Sequence, residues 1–121
     1  MSRKYPITKS FKFAFSGLKS AVKREPNFRI HLLFAIATII AAYFLDFTPF
    51  EWTILVFTIF LVVTFELFNT ALEALVNLVS PELRPEAKIA KDVSAAAVLL
   101  TALFSIIVGS ILFLPKIISL L

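Results

Sequence analysis

The sequence predicts an all-α integral membrane protein with three membrane-spanning helices and an N-terminal amphipathic helix at the membrane interface. Hydrophobic residues make up 60% of the 121 residues and the mean hydropathy is +0.94, whereas soluble domains contain roughly 45–50% apolar residues. Long apolar segments occupy residues 30–45, 52–79 and 93–114, of which the first is short for a span. The length predicts one domain over residues 1–121.

The N-terminal segment is basic and amphipathic. Eight of the twelve Lys and Arg residues precede Ile30: Arg3, Lys4, Lys9, Lys12, Lys19, Lys23, Arg24 and Arg29. At 100° per residue, the lysines of residues 9–24 fall in one stripe, and a separate stripe of the helix contains Phe11, Phe15, Leu18 and Val22. This pattern is typical of a helix lying at the membrane surface. Because so much apolar sequence follows, we interpret the basic segment as binding anionic lipid and expect no nucleic acid partner.

The distribution of charge predicts the membrane orientation. The loop after the first span, residues 46–51, is acidic and lacks Lys and Arg, whereas the loop after the second contains Arg84, Lys88 and Lys91. The positive-inside rule therefore places the N-terminus and the second loop in the cytoplasm and the C-terminus outside, with Lys116 as a minor exception. Trp52 is expected to anchor the second span at the outer interface.

The second span carries a stripe of polar residues on one helix face. Glu66, Asn69 and Glu73 are spaced i, i+3 and i+7, and Asn77 continues the stripe. A carboxylate at membrane depth costs roughly 2.5–3.5 kcal/mol and usually faces protein or a water-filled cavity. The stripe therefore predicts a binding or catalytic site. Two alternatives stay open, a polar seam between helices with protonated acids, and a proton or cation relay.

Further charged residues lie at the predicted cytoplasmic boundary. Lys91 and Asp92 precede the third span, and Glu25 ends the interfacial helix because Pro26 disfavours helical geometry there. Asp92 could simply complement the helix dipole at a helix start, and Lys91 could extend its ammonium group to the interface. Carboxylates hold Mg²⁺ together with substrate phosphates, and a lysine offsets phosphate charge. His31, the only histidine, is expected to be structural.

Two absences exclude other classes of site. The chain has no cysteine, which excludes disulfides and thiolate metal sites. Its two glycines, Gly17 and Gly109, form no glycine-rich phosphate loop, which excludes a soluble nucleotide-binding fold of that type.

Three segments resemble the small prokaryotic diacylglycerol kinase family, which includes the undecaprenol kinases of Gram-positive bacteria. They are REPNFRIH at 24–31, FELFNTALEALVNLVSPE at 65–82 and AKIAKDVSAAAVLL at 87–100, in matching order and spacing. The resemblance covers nearly the whole chain. It implies a lipid kinase of the bacterial plasma membrane that uses MgATP and a lipid hydroxyl. It also implies a homotrimer whose active sites are shared between neighbouring chains.

The resemblance also implies roles for the residues of the polar stripe. Glu66 matches the general base toward the lipid hydroxyl, and Asn69 matches a residue that positions groups at the reaction centre. Glu25 and Glu73 are similar to the carboxylates that hold the metal.

On the nucleotide side, the resemblance gives Lys91 contacts to the phosphates, both in binding ATP and in the transfer step. Asp92 resembles a nucleotide-contacting residue, and Glu82 matches a position that approaches the adenosine. Arg84 and Asn77 depart from the better-known diacylglycerol kinase branch, which has histidine and aspartate there. The NFRIH segment is similar to the undecaprenol kinase branch instead, which favours undecaprenol over diacylglycerol as the acceptor.

Overall fold

The chain is all helical over residues 5–121, the part that the computed structural model describes, and these residues contain no strand. The helices are α1 (Ile7–Arg24), α2 (Pro26–Phe44), α3 (Pro49–Val79) and α4 (Pro85–Ser119). Three of them, α2, α3 and α4, are long and apolar enough to cross a membrane. The predicted fold class is therefore confirmed. Arg3 and Lys4 of the basic segment lie outside the described residues.

The turn between α1 and α2 forms where proline interrupts the helical pattern. Glu25 is extended, with φ −115° and ψ 102°, and Pro26 occupies the first turn of α2, where its missing N–H costs no hydrogen bond. The Nη1 atom of Arg29 donates to the carbonyls of Val22 at 2.7 Å and Lys23 at 3.1 Å. These bonds satisfy backbone acceptors left free at the end of α1.

The helices extend beyond the apolar segments of the sequence. α2 has 19 residues, which at 1.5 Å per residue gives about 28 Å, close to the thickness of a bilayer core. α4 begins at Pro85, eight residues before the apolar segment that starts at residue 93. Asp92 therefore lies about two turns inside the helix. The interpretation of Asp92 as a helix-start residue is wrong, because the dipole effect is confined to the first turn.

The three long helices pack loosely on one another and leave most apolar side chains exposed. α3 packs chiefly against α4 and also against α2, while α1 contacts both α2 and α3. The buried apolar cluster near the α2–α3 turn contains Ala42, Phe47, Leu55 and Leu112. Large apolar side chains elsewhere, such as Phe34, Phe60 and Phe68, are exposed. Such surfaces suit contact with lipid acyl chains or with other protein chains.

A pair of charges joins the start of α3 to the end of α4. Glu51 completes a capping box with Thr48, in which each side chain accepts from the other residue's backbone N–H. The same carboxylate lies 3.1 Å from Lys116 Nζ, which is also over the ring of Phe47. Lys116, the exception to the charge rule in the sequence, thus has its charge offset by a nearby acid.

Variants of Glu51 should distinguish the contribution of the capping box to stability from that of the ion pair with Lys116. Glutamine keeps an oxygen for the capping box but loses the charge that attracts Lys116, whereas alanine loses both. We expect Glu51→Gln to lower Tm slightly and Glu51→Ala to lower it further, measured by thermal unfolding in detergent. Lys116→Met serves as the partner variant and should resemble Glu51→Gln. Equal effects of Gln and Ala at position 51 would contradict a stabilising role for the cap.

Candidate functional site

The polar stripe of α3 is directed toward α2 and α4. Glu66 is buried, with 4% of its surface exposed. Its Oε1 atom is 3.5 Å from Nδ1 of His31 on α2. Among residues 5–121 this oxygen has no hydrogen-bond partner. A buried acceptor without a donor is costly, and such atoms in native proteins often belong to a site that binds or reacts.

Asn69 joins the stripe to α4. Its Oδ1 accepts a hydrogen bond from Ser94 Oγ at 2.7 Å, and its Nδ2 donates to Glu73 Oε1 at 3.3 Å. Hydrogen bonds between spans contribute about 0.6–2 kcal/mol each. Asn69 is therefore held between the two helices and orients the carboxylate of Glu73.

Lys91 lies next to Asn77, the last residue of the stripe, at the end of α3 that the sequence predicts to be cytoplasmic. Its Nζ donates to Asn77 Oδ1 at 2.5 Å, which bridges α4 and α3. The amide is neutral, so it orients the ammonium group without cancelling its charge. Asp92 is instead exposed on α4 and pairs with Lys88 at 2.6 Å. The structure thus brings Lys91 to the stripe, while Asp92 is directed toward solvent.

The other two candidate acids lie at the boundary of the helical bundle. Glu25, half-buried between α1 and α2, and Glu73 are both close enough to Glu66 for their charges to act on it. Glu82 is exposed in the α3–α4 loop, where its carbonyl accepts a hydrogen bond from the Ser80 hydroxyl. Glu25 and Glu73 thus act on Glu66 through their charges, whereas no contact connects Glu82 to these acids in the part of the chain that the structure describes.

The acids fit a site for Mg²⁺ that is completed by phosphates. Over the described range, no three His, Asp or Glu side chains converge closely enough to hold a metal by themselves. Mg²⁺ does not need such a group, since it usually binds one or two carboxylates with waters and substrate phosphates. Within residues 5–121, the one hydrogen bond that the Glu73 side chain accepts comes from Asn69 and is long, at 3.3 Å. Its carboxylate therefore retains free lone pairs for a cation.

An apolar cavity of about 330 Å³ lies between α2, α3 and α4. His31 is one of its lining residues, and the side chain of His31 also contacts Glu66. The residues that line it on α2 share one helix face: Ile30, His31, Phe34, Ala35 and Thr38. The volume is at the small end of the range for ligand pockets. The cavity is half open, and it offers an apolar chain a surface that includes His31, the residue in contact with the buried carboxylate.

The contact between His31 and Glu66 was missed by sequence reasoning, which treated this histidine as structural. One signal was available. His31 shares a helical face with Thr38, at i and i+7, and these are polar residues in an otherwise apolar span. That face meets α3 in the structure.

Comparison with known proteins gives consistent results. Residues 12–113 match the model of the family described as prokaryotic diacylglycerol kinase. A diacylglycerol kinase of Synechocystis is 43% identical over 113 residues, covering 93% of this chain and 65% of that protein. An undecaprenol kinase of Bacillus subtilis is 38% identical over 108 residues, covering 89% and 88%. A diacylglycerol kinase of Escherichia coli K12 is 29% identical over 106 residues, covering 88% and 87%.

Proposed function

The chain belongs to the prokaryotic diacylglycerol kinase family of lipid kinases, and from this premise we propose that it transfers the γ-phosphoryl group of MgATP to undecaprenol. The observation that carries the proposal is the buried carboxylate of Glu66. One of its oxygens has no hydrogen-bond partner among residues 5–121 and lies 3.5 Å from His31, a residue that lines the apolar cavity. A lipid alcohol combines one hydroxyl with long apolar chains, which matches these two features, and the NFRIH segment favours undecaprenol as that alcohol.

In the proposed reaction, Glu66 acts as general base. Its carboxylate takes the proton of the lipid hydroxyl while that oxygen attacks the γ-phosphorus. The bond between the γ-phosphorus and the bridging oxygen breaks, and ADP leaves with that oxygen. Asn69, held by Ser94 and Glu73, keeps the neighbouring groups in place during transfer. The products are a lipid phosphate and ADP.

Glu25 and Glu73 are the proposed ligands of Mg²⁺. A metal ion held by these carboxylates would offset the charge of the phosphates. The charges of both acids act on Glu66, which is consistent with phosphates held on the same side of the bundle as the base. The hydrogen bond from Asn69 to Glu73 fixes the orientation of one ligand, as outer-shell groups commonly do.

On the nucleotide side, we assign the phosphate contact to Lys91. Its ammonium group, oriented by the neutral amide of Asn77, retains the charge needed to attract phosphate. Asp92 and Glu82 are the proposed contacts to the rest of the nucleotide, and both are exposed where a soluble ligand can reach them. Transfer would thus join a nucleotide from the cytoplasm to a hydroxyl from the membrane.

The proposed setting is the bacterial plasma membrane, with α1 on the cytoplasmic surface and the C-terminus outside. The pairing of Lys116 with Glu51 supports this orientation, because it removes the exception to the positive-inside rule. A homotrimer with shared active sites is also proposed. In support, Ala95 and Ala96 of α4 are exposed, and small residues on a span favour close approach of another helix.

The acceptor can be identified by supplying γ-labelled ATP and Mg²⁺ to the purified protein in mild detergent, with undecaprenol and diacylglycerol offered separately. We expect label to enter undecaprenol faster. Diacylglycerol is the acceptor in the name of the Synechocystis relative. Preferential labelling of diacylglycerol would be consistent with lipid kinase activity but would contradict undecaprenol as the acceptor. Labelling of neither lipid, in protein shown to be folded, would overturn the proposed function.

A further inference from the structure

His31 lies between the apolar cavity and the buried carboxylate of Glu66. Its imidazole lines the cavity on one side, and its Nδ1 atom is 3.5 Å from Glu66 Oε1 on the other. His31 keeps 24% of its side chain exposed, compared with 5% for Glu66. A molecule in the cavity would therefore meet His31 at the place where it approaches the acid.

Among the described residues near Glu66, His31 is well placed to donate a hydrogen bond to its carboxylate. Glu25 from the α1–α2 junction and Glu73 from α3 add negative charge near Glu66. On α4, the residues that share the cavity with His31 carry no titratable group: Ala102, Ser105, Ile106, Val108, Gly109 and Phe113. Since Oε1 of Glu66 has no hydrogen-bond partner within residues 5–121, a donor at 3.5 Å needs only a small movement to satisfy it.

We propose that His31 is a positioning residue for Glu66. It donates its Nδ1–H to Oε1, so that the second carboxylate oxygen is held toward the lipid hydroxyl. A neutral imidazole suits this role because it orients the carboxylate without cancelling its charge. This inference rests on the proposed function of Glu66 as the base, and it adds a residue that acts through Glu66 rather than on the phosphoryl group.

Two substitutions test the role of the donor. Asparagine places an amide N–H near the position of Nδ1, whereas leucine fills similar space with no donor. We expect His31→Leu to lower kcat by roughly 10- to 100-fold, as for loss of a hydrogen bond to a charged group. The KM for ATP and the KM for the lipid should change little. His31→Asn should recover most of this loss. Thr53→Val, which removes a hydroxyl bonded to the Pro49 carbonyl far along α3, should match the wild type.

Several kinetic outcomes would overturn the proposal. Wild-type kcat in His31→Leu would do so, as would equal losses in the leucine and asparagine variants. A higher KM for the lipid with unchanged kcat would mean that His31 only lines the cavity and does not position Glu66.

A second measurement examines the contact without relying on activity. Because the chain has a single histidine, ¹⁵N-histidine labelling reports on His31 alone. We expect a protonated Nδ1 whose NMR signal shifts in Glu66→Gln. A neutral imidazole with its proton on Nε2 would overturn the proposal even if the enzyme is active. Conversely, the protein could show an Nδ1–H signal that responds to Glu66→Gln and yet phosphorylate no lipid. That result would support the contact between His31 and Glu66 and contradict the proposed function.

Discussion

Replacing Glu66 by glutamine is expected to reduce phosphoryl transfer by at least about 100-fold, while the protein still inserts into the membrane. General bases contribute about 10²- to 10⁴-fold to rates, and an amide cannot accept the hydroxyl proton. Glutamine has nearly the same shape, so the packing around the buried side chain should persist. The measurement is label transfer from γ-labelled ATP to the preferred lipid, with folding and assembly followed by size-exclusion chromatography.

Glu66→Leu distinguishes catalysis from the two alternative interpretations of the polar stripe. If Glu66 only joined helices, leucine would be tolerated or even stabilising, because it avoids burying an acid. If Glu66 were part of an ion relay, its loss would abolish ion flux and leave nucleotide use unchanged. We expect instead a stable protein with no kinase activity. Wild-type turnover in either variant would remove Glu66 from the role of base.

The polar stripe of α3 was predictable because acids and amides are conspicuous in an apolar span. Helical geometry alone places Glu66, Asn69 and Glu73 on one face, and the structure gives each a contact on that face. The turn at Glu25 was predictable for a similar reason, since proline has a strong and local effect on the backbone. The catalytic and metal-binding roles of these residues remain predictions.

The partners of the stripe were harder to predict from sequence. α2 is largely apolar, and the shared face of His31 and Thr38 is its one weak sign of a packing surface. That sign does not indicate which residue of α3 His31 contacts, so the contact with Glu66 was missed. The hydrogen bond from Ser94 to Asn69 depends equally on how two apolar helices pack. The start of α4 was missed because hydropathy marks the membrane, whereas the helix begins at Pro85, outside the apolar segment.

Glu73→Gln is expected to raise the Mg²⁺ concentration needed for half-maximal activity by at least about tenfold. Loss of outer-shell groups alone lowers metal affinity 10- to 100-fold, and a direct ligand should matter at least as much. Glutamine keeps an oxygen that can accept the hydrogen bond from Asn69, so the substitution removes charge while preserving the local network. The measurement is transfer rate against Mg²⁺ concentration at saturating ATP and lipid.

Glu86→Gln is the matched control, since it removes the same charge from an exposed position in the first turn of α4. It should leave the Mg²⁺ dependence unchanged. If Glu73→Gln shifts the Mg²⁺ dependence and high Mg²⁺ restores the rate, the acid contributes to metal affinity and is not needed as a base. An unchanged dependence would remove Glu73 from the metal site. A loss of rate that Mg²⁺ cannot restore would also contradict a role limited to metal binding, and would favour a direct part in the transfer step.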